Sequence, residues 1–186
     1  DGRMLLTERP GRIRSLSNGK LSEPVKNTPV PWVRQDGGYF DIAIDPDYQN
    51  NGWVYLSYSA VAPGVAQPPP DVPGTPRSQL APAPPSMTRW VRGRINGNNE
   101  WVDQQDVLQT SAETYSTSVI HYGSRFLFDQ KGHLFITAGE RGEMSLAQDL
   151  SSPLGKIHRI NVDGSIPQDN PFVNTPGAVP SIWTLG

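Results

Sequence analysis

The chain has no cysteine among its 186 residues, which excludes disulfides, thiolate metal ligands and a cysteine nucleophile. A large β-protein can live in an oxidising compartment without them, so the compartment stays open. An excess of charge of one sign is also missing: 16 basic and 18 acidic residues give a net charge of −2. With both signs interspersed, nothing marks the chain as a binder of nucleic acid or of an anionic membrane. No run approaches the ~18 apolar residues of a membrane span, and no basic, apolar, small-residue leader opens the sequence. The first residues already read as part of a strand-turn unit, so further chain is expected before them. No segment keeps a helical period over 11 or more residues. A Ser-His-Asp order, a Gly-rich phosphate cradle and paired metal histidines are likewise lacking.

What is present is short apolar clusters and many turns. The 18 glycines and 19 prolines make up about a fifth of the chain, above average usage but below the level of wholesale disorder. Clusters such as WVYLSYS and HLFITAG favour strands. One plan recurs, a polar Gly or Asn turn leading into a strand, a second turn and a second strand. In DGRMLLTERPGRIRSL, Met4 to Thr7 and Arg12 to Leu16 read as a hairpin around Pro10-Gly11. Leu134 to Ala138 and Lys156 to Val162 read as strands, with a turn at Asp163-Gly164. Further hairpin-like pairs are predicted around Asn50-Asn51-Gly52 and Asn96-Gly97. Repeated antiparallel units without helices fit a β-propeller, whose blades bury their faces only against one another; a sandwich is the rival. Residues 62–86 carry nine prolines at 63, 68, 69, 70, 73, 76, 82, 84 and 85. They read as a loop inserted within a blade, a surface excursion placed so that it can reach over one rim. Arg89, Arg92 and Arg94 sit in the alternating segment TRWVRGRI and read as a solvated strand face.

Of three histidines, His121 alone stands where a strand pattern starts abruptly after a polar loop. An imidazole there, with an ordinary pKa of ~6.5, suits proton acceptance near neutral pH. His133 and His158 alternate with apolar residues and read as strand positions. Asp41, Asp45 and Asp47 lack the Gly and distal Glu of a calcium loop and read as a strand end with a Pro-Asp turn. Glu140, directly after FITAG, is the carboxylate best placed to orient His121.

The longer strings are more specific. LGKIHRINVDGSIPQDNPF with SIWTLG, LLTERPGRIRSL, GGYFDIAIDPDYQNNGWVYLSYS and HYGSRFLFDQKGHLFITAGE with AQDL resemble the soluble PQQ-dependent aldose sugar dehydrogenases, the glucose/sorbosone dehydrogenase family. The Pro-rich insertion is the main unmatched part. The resemblance implies an all-β, six-bladed β-propeller, of which this chain is the first half, about three blades. It also implies pyrroloquinoline quinone (PQQ) and calcium as cofactors, an aldose substrate, an electron acceptor of unknown identity, and a periplasmic or secreted location. In this resemblance His121 matches the general base, which also faces PQQ, in a His-x-x-Gly/Ser-Arg motif that keeps Arg125. Glu140 matches the acidic residue that orients the base, where Asp is usual in the glucose-oxidising branch.

Two departures bear on the substrate. In RQDGGYFD the family places a sugar-contacting Gln where this chain has Asp36, with Gln35 one residue earlier. Either Asp36 substitutes as an acceptor or a local shift lets Gln35 serve. Ile120 stands where the glucose-oxidising branch has an Asp. Beyond Gly186 the family continues with an Arg-Asn-Pro-Gln-Gly motif, the calcium-binding carbonyls and the basic clamp for PQQ. This segment alone is therefore expected not to turn over sugar. A non-catalytic propeller binding carbohydrate or protein at its channel, and a metal-dependent lactonase-type propeller, are the alternatives.

Overall fold

A computed structural model describes residues 2–186; Asp1 lies outside them. The described residues form three antiparallel sheets. The first holds β1 (Met4–Glu8), β2 (Arg12–Ser17) and β3 (Lys20–Leu21). The second runs in chain order through β4 (Tyr39–Ile44), β5 (Val54–Val61), β6 (Ser86–Ile95) and β7 (Trp101–Leu108). The third does the same through β8 (Phe126–Phe128), β9 (His133–Ala138), β10 (Lys156–Asn161) and β11 (Ile182–Leu185). All pairs are antiparallel, as expected where each strand is joined to the next by a turn.

The sheets stack face to face, and the sequence of β5 shows why. In VYLSYSAV every residue from Val54 to Ala60 is buried. Val54, Leu56, Tyr58 and Ala60 point to a core shared with Ile13 and Val25 of the first sheet's side. Tyr55 points the other way, into a core with Trp90, Leu134, Ile136 and Ile160. A strand buried on both faces loses the apolar-polar alternation of a half-exposed one, and its period of two instead sorts side chains between two interfaces. Strand β1 lies beside β4, and β4 beside β8, so the first strands of the sheets line up around a common axis. That arrangement is the β-propeller.

The connection at Asn50-Asn51-Gly52 is a single helical turn, α1 (Tyr48–Asn51), ended by Gly52 in a left-handed conformation at φ 67°. Asp45 is buried beneath it, accepting from the Asp47 N–H and the Asn51 amide and meeting the Tyr55 hydroxyl. The basic stripe of β6 differs from its predicted solvated face. Arg92 and Arg94 lie over the Trp53 ring, 4.4 and 3.8 Å from its centroid, covering aromatic surface with their guanidinium planes.

The Pro-rich loop joins β5 to β6 within one sheet, and it is tied down. Arg34, buried, donates from Nε to Asp71 at 2.7 Å and from Nη1 to the Ala81 carbonyl at 2.8 Å. Gln67 donates to the Pro31 carbonyl at 2.9 Å. The insertion thus packs on residues 31–34, immediately before Gln35 and Asp36.

Candidate active site

His121 precedes β8 and Glu140 follows β9, and these two strands pair with Phe126 opposite Ile136. The start of one therefore lies at the same end as the finish of the other. Beyond the regular ladder the two segments stay joined, with Gly139 N–H donating to the Tyr122 carbonyl at 3.1 Å and Arg141 N–H to the His121 carbonyl at 3.3 Å. Such a close crossing needs glycine. A Cβ on Gly139 would sit 2.0 Å from the His121 carbonyl oxygen, and one on Gly123, at φ 66°, would sit 2.5 Å from the Gly139 nitrogen.

The crossing brings His121 Nδ1 onto Glu140 Oε1 in a short contact. The same carboxylate oxygen accepts from the Gly142 N–H at 3.1 Å. The hydrogen bond from His121, ahead of the other contributions, holds the Glu140 carboxyl below the usual glutamate range. An ionised Glu140 takes a proton donor at Nδ1, so the neutral imidazole carries its hydrogen there and leaves Nε2 as an acceptor. The His121 side chain is 52% exposed and Glu140 only 22%, so the imidazole is the more solvent-accessible member of the pair.

Asp36 reaches the same place from 85 positions away. Its Oδ2 accepts the His121 backbone N–H at 2.9 Å, and its own N–H donates to the Val119 carbonyl at 3.2 Å. Its carboxylate is engaged in holding the histidine's main chain. Gln35, His121 and Arg141 all have left-handed backbone, at φ 48°, 52° and 59°. Non-glycine residues adopt this only where the surroundings over-determine it, and such residues gather at functional sites.

Sequence reasoning missed two residues here. Arg141 is 1% exposed. It donates to the carbonyls of Ile120 at 3.0 Å and Ser86 at 2.8 Å, and to that of Ser118. Its guanidinium lies 3.5 Å from the Tyr122 ring centroid, so it fixes the segment on both sides of His121. Asp41 accepts from the Phe126 N–H at 2.9 Å and faces Arg125 at 3.4 Å, tying β4 to the chain just after the histidine. Arg125 itself is 78% exposed. Of the other histidines, His158 is fully buried between Ser181 Oγ and the Pro153 carbonyl. His133 pairs with Asp129 at 2.7 Å and accepts from Arg159. Neither approaches His121 through any of these contacts.

Stacked antiparallel sheets around an axis define a β-propeller, and one of them carries a paired imidazole and carboxylate at its loop end. Comparison with known proteins narrows the class. The chain belongs to the family described as Glucose / Sorbosone dehydrogenase, whose profile matches residues 1–186. It is 34% identical to the aldose sugar dehydrogenase YliI of Escherichia coli (strain K12) over 98% of this chain and 44% of that protein. It is 28% identical to quinoprotein glucose dehydrogenase B of Acinetobacter calcoaceticus over 100% of this chain and 40% of that protein. The crystal structure of the soluble aldose sugar dehydrogenase from Escherichia coli in its apo form superposes with a TM-score of 0.80 at 31% identity. That match covers 98% of this chain and 47% of the other. The chain thus spans less than half the length of these relatives.

Proposed function

We propose that this segment belongs to a PQQ- and calcium-dependent dehydrogenase that oxidises an aldose to its lactone, with His121 as the general base. The observation that carries the reading is the His121–Glu140 pair, formed by residues 19 apart at one end of the third sheet. His121 Nε2 takes the proton from the anomeric hydroxyl, which pushes electron density onto the carbon that gives up a hydride. Glu140 holds Nδ1–H and stabilises the imidazolium that forms. The Gly142 N–H steadies the carboxylate, while Asp36 and Arg141 fix the backbone of residues 118–121. When bound, PQQ supplies the hydride acceptor.

The donor set suits contact with such a quinone without completing its grip. His121 offers a half-exposed imidazole, and Arg125 an exposed guanidinium for a carboxylated ligand. Calcium fits less well. Among the described residues no three His, Asp or Glu side chains gather where a metal ion could sit. Its ligands, and most of the PQQ clamp, are assigned to the part of the protein beyond Gly186, and the segment alone is expected to be inactive. Of the two predicted sugar contacts, Asp36 is engaged with the His121 N–H, which leaves the Gln35 amide nitrogen to meet the sugar. The three sheets are read as three blades of the propeller. The reading carries with it an external electron acceptor and a periplasmic or secreted location. Among the described residues no helix is long and apolar enough to cross a membrane.

The full-length protein supplied with PQQ and calcium should reduce an artificial dye in the presence of an aldose. Chelation or omission of PQQ should stop it. Sugar-dependent turnover that persists without PQQ would remove this reading.

A further inference from the structure

The Pro-rich insertion reaches Gln35, the neighbour of the residue that holds the His121 main chain. Arg77 begins a single 3₁₀ turn within it (Arg77–Gln79). With the Gln35 amide oriented oxygen inward, Arg77 donates to that oxygen from Nη2 at 2.9 Å and from Nε at 3.2 Å. A second guanidinium arrives from the β1–β2 turn, where Arg9 donates from Nε to the Gly37 carbonyl at 3.0 Å and from Nη2 to the Gln35 carbonyl. Both side chains belong to exposed residues. Among the described residues neither pairs with a carboxylate, whereas Arg34 beneath them is matched to Asp71. The acids of the neighbouring segments are already engaged, Glu8 with Arg12 and Arg14, Asp36 with the His121 N–H and Glu140 with the imidazole. Two guanidiniums therefore converge on one residue without an internal counter-charge, next to the residue that positions the base.

We infer that the insertion builds a subsite for an anionic group on the aldose, with Arg77 as the specificity-determining residue and Arg9 beside it. The ligand class is an aldose bearing a carboxylate or a phosphate remote from its anomeric carbon. The geometry suits this because a guanidinium offers a planar fork to either group, and its loop is pinned by Arg34 and Gln67 before any ligand arrives. The inference rests on the aldose dehydrogenase reading above.

The test compares kcat/KM for glucose, glucuronate and glucose 6-phosphate, using the full-length protein loaded with PQQ and calcium and its Arg77→Gln and Arg77→Lys variants. Wild type should favour at least one anionic sugar, and the two anionic arms separate a carboxylate preference from a phosphate one. Arg77→Gln should lower kcat/KM for that sugar about 10- to 100-fold, the loss of a charge-assisted hydrogen bond, and lower it clearly less for glucose. Arg77→Lys should keep part of the preference, and added salt should weaken it. Equal treatment of neutral and anionic sugars by wild type, or an equal loss on both in Arg77→Gln, overturns the subsite. If no aldose is turned over, the activity reading falls separately, and calorimetric titration with glucuronate and glucose 6-phosphate decides the subsite. Binding weakened by Arg77→Gln supports it, and no binding of either overturns it.

Discussion

His158 supplies a stability prediction that can be worked from its surroundings. The ring is 0% exposed. Pro153's carbonyl, which only accepts, lies 2.8 Å from Nε2, so that nitrogen carries the hydrogen and Nδ1 accepts from Ser181 Oγ at 2.9 Å. The neutral ring is thus fully satisfied, and protonating it would place a charge in the core beside Lys156. Burial, with a smaller contribution from Lys156, pushes its pKa down from 6.5 to about 4. A base with a depressed folded pKa binds fewer protons folded than unfolded between those values. Its contribution is fully present above pH 6.5 and is lost as pH falls toward 4. At about 1.36 kcal/mol per pKa unit, the loss comes to about 2 kcal/mol at pH 5 and about 3 kcal/mol at pH 4. The assay is urea unfolding of the full-length protein followed by tryptophan fluorescence from pH 7.5 to 4, for wild type and His158→Gln. The variant starts less stable at pH 7.5, but it should lose about 3 kcal/mol less than wild type across the range. Parallel pH curves for the two proteins would refute the reasoning.

Two further predictions concern the site itself. Glu140→Gln keeps the shape but not the charge beside His121 Nδ1; kcat with an aldose should fall about 10- to 100-fold, the worth of a charge-assisted hydrogen bond, and an unchanged kcat would remove the orienting role. At Asp36, Asn keeps an acceptor for the His121 N–H while Ala does not. Steady-state kinetics should show Asp36→Asn within a few-fold of wild type and Asp36→Ala about 10-fold lower in kcat, whereas a rise in KM alone in both would make Asp36 a sugar contact instead.

The features legible in the sequence were those carried by local pattern. His121 and Glu140 stood out because each sits where an apolar strand meets a polar loop, and antiparallel pairing of adjacent strands brings such ends together. The strands β1, β2, β9 and β10 followed from turn residues and apolar runs for the same reason. Asp36's role left no such trace, since its partner is a backbone N–H 85 positions away and any acceptor in that loop would look alike. Arg141 was hidden by its neighbours: within GERGE a buried arginine cannot be told from a solvated one, and its partners are carbonyls, which every residue has. The insertion's anchorage was hidden likewise, because Arg34 and Asp71 are 37 positions apart in segments without periodicity.

The central claim is that His121 is the proton acceptor of an aldose oxidation, and the most direct measurement is kcat of the full-length His121→Ala variant with PQQ, calcium and saturating aldose. The imidazole is half exposed and its removal leaves the strand ladders intact, so the variant should fold. Loss of a positioned general base predicts a fall in kcat of about 10²- to 10⁴-fold. A His121→Ala protein that turns over at the wild-type rate would contradict the assignment.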